Sequence, residues 1–144
     1  MIHEMQHKNI LLIDDDYLDV ISIQRALSKI NLDHTLYVAH NGEEALDMIT
    51  GTSEKKLPGF PDFIFLDINM PKMNGFEFLR IIRNYYTMKN IHVFIMTTSL
   101  EDYDIREAER LGISGYIVKP LDFGATKSGT NKEMTERLQK LLVE

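Results

Sequence analysis

Four short apolar runs punctuate the chain, at residues 10–13, 63–66, 93–96 and 116–118, and a weaker fifth lies at 35–39. None alternates with polar residues. A strand with one face in water would alternate, so these runs read as strands buried on both faces, as in a parallel sheet covered by helices. Helical spacing fills the intervals. Val20, Ile23, Leu27 and Ile30 step by three and four, and so mark one face of a helix. Shorter stripes follow at Ala45, Leu46 and Ile49, at Phe76, Leu79 and Ile82, at Ile105, Ala108 and Leu111, and at Met134, Leu138 and Leu141. Ser99 with Asp102, and Thr130 with Glu133, have the spacing of capping boxes that open the fourth and fifth helices. Gly112 suits the C-terminal end of the fourth. Strand and helix alternate five times, which predicts an α/β fold: a doubly wound five-stranded parallel sheet with right-handed crossovers and helices on both faces. Two polar, glycine-bearing stretches, 51–61 and 122–129, are expected to be irregular surface connections.

Composition narrows the function. A chain of 144 residues suits one domain with its own core. It has no cysteine, which excludes thiol catalysis and zinc–thiolate sites and is compatible with a reducing cytosol. Residues 1–8 lack the apolar stretch of a secretory signal, and no run approaches the ~20 apolar residues of a membrane span. A net charge of −6 does not attract nucleic acid. The expectation is a cytoplasmic protein that binds neither nucleic acid nor membrane. The five histidines show no ligand spacing and read as surface or structural residues. The methionines at 70, 73, 88 and 96 read as core and loop filler.

Ligands of open α/β sheets bind at the carboxyl ends of the strands. Asp14, Asp15 and Asp16 follow the first strand, and Asp67, Ile68, Asn69, Met70 and Pro71 stand at the end of the third. Thr97, Thr98 and Ser99 follow the fourth, and Lys119 and Pro120 the fifth. Carboxylates this close repel unless a cation lies between them. An all-oxygen set favours a hard ion, Mg²⁺ over zinc. A carboxylate beside a metal, a lysine and a hydroxyl is equipped to act as a nucleophile and form an aspartyl phosphate. One aspartate of the triplet, Asp16, reads as a helix cap, since a cap needs one acid and not three.

The segments Leu11-Leu12-Ile13-Asp14-Asp15, Phe65-Leu66-Asp67-Ile68-Asn69-Met70-Pro71-Lys72-Met73-Asn74-Gly75, Met96-Thr97-Thr98-Ser99 and Gly115-Tyr116-Ile117-Val118-Lys119-Pro120 together resemble the receiver domains of two-component response regulators. The resemblance implies the flavodoxin-like (βα)5 fold with strand order 2-1-3-4-5. It implies a receiver spanning 8–144 behind an N-terminal tail of residues 1–7. Asp67 matches the phosphoryl acceptor. Asp15 matches the direct Mg²⁺ ligand, Asp14 its partner acid, and Asn69 the position whose backbone carbonyl completes the metal site. Thr97 matches the hydroxyl that turns toward the phosphoryl group, Thr98 its neighbour with a backbone N–H, Lys119 the phosphate-pairing lysine, and Tyr116 the aromatic coupled to Thr97. The Lys119–Pro120 bond is expected to be cis.

The implied function is a phosphorylation switch rather than an enzyme. It would be charged by a sensor histidine kinase or a histidine phosphotransfer protein, and would signal to a downstream protein. The implied output face is the fourth helix, fifth strand and fifth helix, which would also be the homodimer face. The extra stretch at 51–61 resembles that of stand-alone, cyanobacterial phytochrome-associated regulators, and a second extra stretch runs from Pro120 to Gly129 beside the output face. Few residues are left for an output domain, so the expectation is a single-domain regulator if the sequence is the whole protein, and a receiver within a larger protein if it is a fragment. Three rivals are weaker. A degenerate receiver acting as a phosphorylation-independent interaction module would lack one of these acids or the lysine. An aspartate-nucleophile phosphohydrolase wants an acid where Asn69 stands. A flavin-mononucleotide binder wants a hydroxyl-rich loop where the three aspartates stand.

Overall fold

The apolar runs form the strands of one sheet. A computed structural model describes residues 7–52, 54–68, 70, 73–85, 88–98, 105–119, 121 and 130–143. Its strands are β1 (Lys8–Ile13), β2 (His34–Ala39), β3 (Phe63–Asp67), β4 (His92–Thr97) and β5 (Gly115–Val118). Its helices are α1 (Tyr17–Ser28), α2 (Gly42–Thr50), α3 (Gly75–Asn84), α4 (Ile105–Arg110) and α5 (Thr130–Val143). The strands are all parallel, in the order β2-β1-β3-β4-β5.

Side chains alternate across each strand, and because both faces are buried the sheet divides the core in two. Leu11, Ile13, Ile64, Leu66, Val93 and Ile95 pack with Ala45 and Met48 of α2, Phe78, Leu79 and Ile82 of α3, and Ala108 of α4. Ile10, Leu12, Phe63, Phe65, Phe94, Met96 and Ile117 pack with Val20, Ile23, Ala26 and Leu27 of α1 and Leu138 and Leu142 of α5. The sheet is therefore doubly wound, with two helices on one face and three on the other.

The strands lie where the apolar runs predict, each a residue or so longer. Three local expectations are corrected. α3 buries Gly75, Phe78, Leu79 and Ile82, a stripe that leaves Phe76 only partly covered. α5 buries Thr135, Leu138 and Leu142, while Leu141 lies at the edge of the stripe. The stretch 51–61 is not wholly superficial. Leu57 is in the core cluster, and its N–H donates to the Met48 carbonyl at 3.2 Å. An apolar residue inside a polar loop is thus drawn under the α2–β3 connection by burial.

Gly112 follows α4 with φ of +74°, a left-handed conformation that closes a helix and favours glycine. The pair Ser99 and Asp102 lies outside the described residues, as does the stretch 122–129.

Candidate functional site

Parallel pairing brings the strand ends into register. Ile13 of β1 faces Leu66 of β3, so the next residues, Asp14 and Asp67, emerge side by side. Asp67 is paired with Met96 of β4, and Met96 with Ile117 of β5. Lys119 lies two residues beyond Ile117 and points to the same sheet face. Its backbone N–H donates to the Thr97 carbonyl at 2.8 Å, which extends the β4–β5 ladder one step and fixes the lysine at the rim.

Asp14 is fully buried and Asp67 nearly so, while Asp15 is exposed. Carboxylate oxygens of all three lie within 4.8 Å of one another. The Asp14 oxygens are divided: Oδ1 accepts the Asp16 backbone N–H at 2.9 Å, and Oδ2 accepts Lys119 Nζ at 3.1 Å. Lys119 Nζ is also 3.5 Å from Asp67 Oδ2. Asp16 takes the capping role expected of it, with Oδ1 accepting the Leu18 N–H at the start of α1.

Electrostatics follow from burial. Desolvation pushes Asp14 up to about 6, and the nearby charge of Asp67 adds to the rise, against the lowering effects of the Asp16 N–H and Lys119. Burial by itself would lower the Lys119 ammonium. The hydrogen bond to Asp19 and the charges of Asp67 and Asp14 outweigh it and hold the ammonium well above the usual lysine range. The lysine is a fixed cation.

Thr97 is buried as the last residue of β4, two residues beyond Ile95 and so on the α4 side of the sheet. Tyr116, opposite Ile95 in β5, is partly buried and points to that side as well, away from Ile117. Thr98 is exposed just past the strand. The structure therefore brings Asp14, Asp15, Asp67 and Lys119 together at one point and sets Thr97 and Thr98 on the neighbouring strand end. Asn69, Pro120 and the Lys119–Pro120 peptide bond lie outside the described residues.

One residue of the constellation is not evident from the strand ends. Asp19, in the first turn of α1, places Oδ2 2.6 Å from Lys119 Nζ. A strand-end survey stops before it. The available signal is that a helix capped by Asp16 puts its first turn at the same rim.

A trio of oxygen donors with no histidine or cysteine fits a hard divalent cation, with Asp14, Asp15 and Asp67 as the residues that would hold it. Elsewhere, no helix among the described residues is long and apolar enough to cross a membrane.

The five-stranded doubly wound sheet, with three acids and a lysine gathered at its strand ends, has the flavodoxin-like architecture of receiver domains. The chain matches the response regulator receiver domain over residues 10–128, and it belongs to that family. Response regulator Rcp1 of Synechocystis sp. is 31% identical to it over 112 residues, 78% of this chain and 76% of that protein. Among solved structures, the phosphorylated cyanobacterial phytochrome response regulator RcpA is 30% identical with a TM-score of 0.72, over 94% of this chain and 91% of its own. The Mn²⁺-bound form of Rcp1 is 29% identical with a TM-score of 0.71, over 93% and 91%. Receiver domains are switches of two-component phosphorelay signalling, not metabolic enzymes.

Proposed function

We propose that Asp67 accepts a phosphoryl group from the phosphohistidine of a sensor histidine kinase or phosphotransfer protein, and that the domain thereby signals to a partner protein in the cytoplasm. The observation that carries this reading is the setting of Asp67, a nearly buried carboxylate with two further acids within 4.8 Å and an ammonium at 3.5 Å. A carboxylate oxygen of Asp67 attacks phosphorus. The P–O bond forms as the P–N bond breaks, and the electron pair returns to the imidazole. Acetyl phosphate would serve as a donor in the same way, with acetate leaving. Water later cleaves the acyl phosphate and restores the switch.

Lys119 is held as a cation beside Asp67, where it offsets charge gathering on the phosphoryl oxygens. Asp14, Asp15 and Asp67, with the backbone carbonyl of Asn69, would hold Mg²⁺, which supplies charge neutralisation at the same oxygens. That Rcp1, a similar response regulator, has an Mn²⁺-bound form supports the binding of a divalent ion by this domain. Thr97 stands one strand away from Asp67 with its side chain buried, suited to turn toward a new phosphoryl group while Thr98 offers its backbone N–H. Tyr116 shares the side of the sheet that Thr97 faces, so movement at Thr97 reaches the α4–β5–α5 surface, a local charge event with a remote readout.

The test is incubation with Mg²⁺ and acetyl phosphate, read by intact-protein mass, beside Asp67→Asn. Wild type gains one phosphoryl group and Asp67→Asn gains none. Uptake by the variant, or none by wild type with either acetyl phosphate or beryllofluoride, overturns the proposal.

A further inference from the structure

Among the described residues, Lys119 is the cation of this site, and three acids share it. Asp19 Oδ2 is nearest at 2.6 Å, Asp14 Oδ2 follows at 3.1 Å, and Asp67 Oδ2 is farthest at 3.5 Å. An ammonium has three N–H donors, and a contact of 3.5 Å is an ion pair rather than a well-made hydrogen bond. Two of the three donors are thus committed to Asp19 and Asp14, and the ammonium is drawn toward them, which leaves Asp67, the residue that would carry the phosphoryl group, with the loosest of its three contacts. Asp19 lies outside the trio able to hold a cation. Among the described groups of the site, its interaction is with the lysine.

The two held contacts differ in what it takes to break them. Asp14 is fully buried, with its other oxygen committed to the Asp16 N–H. Withdrawing the lysine would leave a buried carboxylate without a cation, which is costly. The Asp19 side chain is 31% exposed and can be rehydrated. Asp19 also adds a fourth negative charge around the place where an anionic phosphoryl group must arrive. Both effects point the same way.

We propose that Asp19 is a positioning residue that holds Lys119 back from Asp67 in the phosphoryl-free domain, and so sets how readily Asp67 takes and keeps a phosphoryl group. The proposal deepens the phosphoacceptor reading of Asp67 and rests on it. When a phosphoryl group arrives, Lys119 exchanges Asp19 for a phosphoryl oxygen and keeps Asp14. The bland account, in which Asp19 only favours the positive end of α1, changes helix stability and leaves the lysine where it is.

Two measurements test this on the full chain. The first needs neither metal nor phosphoryl group. Brief acetylation with an N-hydroxysuccinimide ester, followed by peptide mass spectrometry, reads how firmly Lys119 is held. Asp19→Asn and Asp19→Ala raise Lys119 acetylation several-fold, Asp19→Glu stays near wild type, and the remote charge control Glu136→Gln is unchanged. The second is titration with beryllofluoride at saturating Mg²⁺. Asp19→Asn lowers the half-saturating concentration by about threefold to tenfold, the scale of one partly exposed charge-assisted contact, and Asp19→Glu restores it. Unchanged Lys119 acetylation in both Asp19→Asn and Asp19→Ala overturns the proposal, as does unchanged or weakened beryllofluoride binding. Wild type that binds no beryllofluoride overturns the phosphoacceptor reading instead, and the acetylation contrast then still reports whether Asp19 holds the lysine.

Discussion

Gly75 shows how closely the residues around Asp67 are set. It opens α3, its N–H donates to the Ile68 carbonyl at 3.2 Å, and Asn74 caps the helix by accepting the Glu77 N–H. A β-carbon at Gly75 would lie 2.7 Å from the Ile68 Cα and 2.8 Å from the Asp67 carbonyl oxygen. Both are backbone atoms, so relief requires the strand end or the helix start to move. Gly75→Ala should therefore destabilise the protein by about 1–3 kcal/mol, the usual scale of overpacking, and slow phosphoryl uptake because the displaced atoms carry Asp67. Urea denaturation gives the first and the rate of mass gain with acetyl phosphate the second. An unchanged unfolding midpoint would mean that the approach relaxes freely. Gly42 offers the useful contrast, since a β-carbon there meets mainly the end of the flexible Met73 side chain. Asp19 shows the limit of reading single residues from sequence. Acid and lysine are 100 positions apart, and only the fold makes them a pair at 2.6 Å.

Among the elements, the strands were legible in the sequence and the helix faces less so. A run such as Phe63 to Leu66 is apolar throughout, so burial on both faces follows without knowing the neighbours. α3 carries apolar side chains at 76, 78, 79, 81 and 82, more than one stripe can hold, and the partner helix α2 and the sheet decide which are covered. Arg83, in the last turn of α3, had no signal at all beyond suiting the negative end of a helix. Its guanidinium donates through Nε to the Leu111 carbonyl at 2.8 Å, through Nη1 to Met88 and Lys89, and through Nη2 to Ile91 and Gly112. Burial lowers the guanidinium from its ordinary value. These carbonyls belong to the turn before β4 and the turn between α4 and β5, so one side chain ties the end of α3 to both. A lysine cannot reproduce the planar fork. Arg83→Lys should cost about 2–3 kcal/mol in urea denaturation, as several half-buried carbonyls lose their donor. It should also raise hydrogen exchange in the 88–91 and 111–114 segments while leaving β1 and β3 protected. Uniform exchange across the chain would argue against a local clamp.

For the whole molecule, the acid cluster links folding, pH and cation binding. The placing of Asp14, Asp67 and Lys119 at one rim was legible, because parallel strands put all their carboxyl ends on one side. The strength of their coupling was not, since it depends on depth of burial. Burial raises Asp14 from 3.8 to about 6, so the fold prefers the neutral acid. A group raised in this way stabilises the fold fully below its ordinary value, and that stabilisation is lost as pH rises through the raised one. The cation-free protein should accordingly lose on the order of 2–3 kcal/mol of stability between about pH 4 and pH 7 from this group. A divalent cation requires the ionised form, so its apparent affinity should grow about tenfold per pH unit up to about 6 and then level off. Thermal unfolding between pH 5 and 7.5, with chelator and with Mg²⁺, reads both effects. This window lies above the ordinary Glu44 value of 4.5, and Glu44 is lowered further, chiefly by the His40 backbone N–H against the effect of burial, so its titration stays outside. The rise in melting temperature produced by Mg²⁺ should be larger at pH 7.5 than at pH 5. In Asp14→Asn both the Mg²⁺ effect and the cation-free decline should flatten. A decline that persists undiminished in Asp14→Asn would assign the pH dependence to another group.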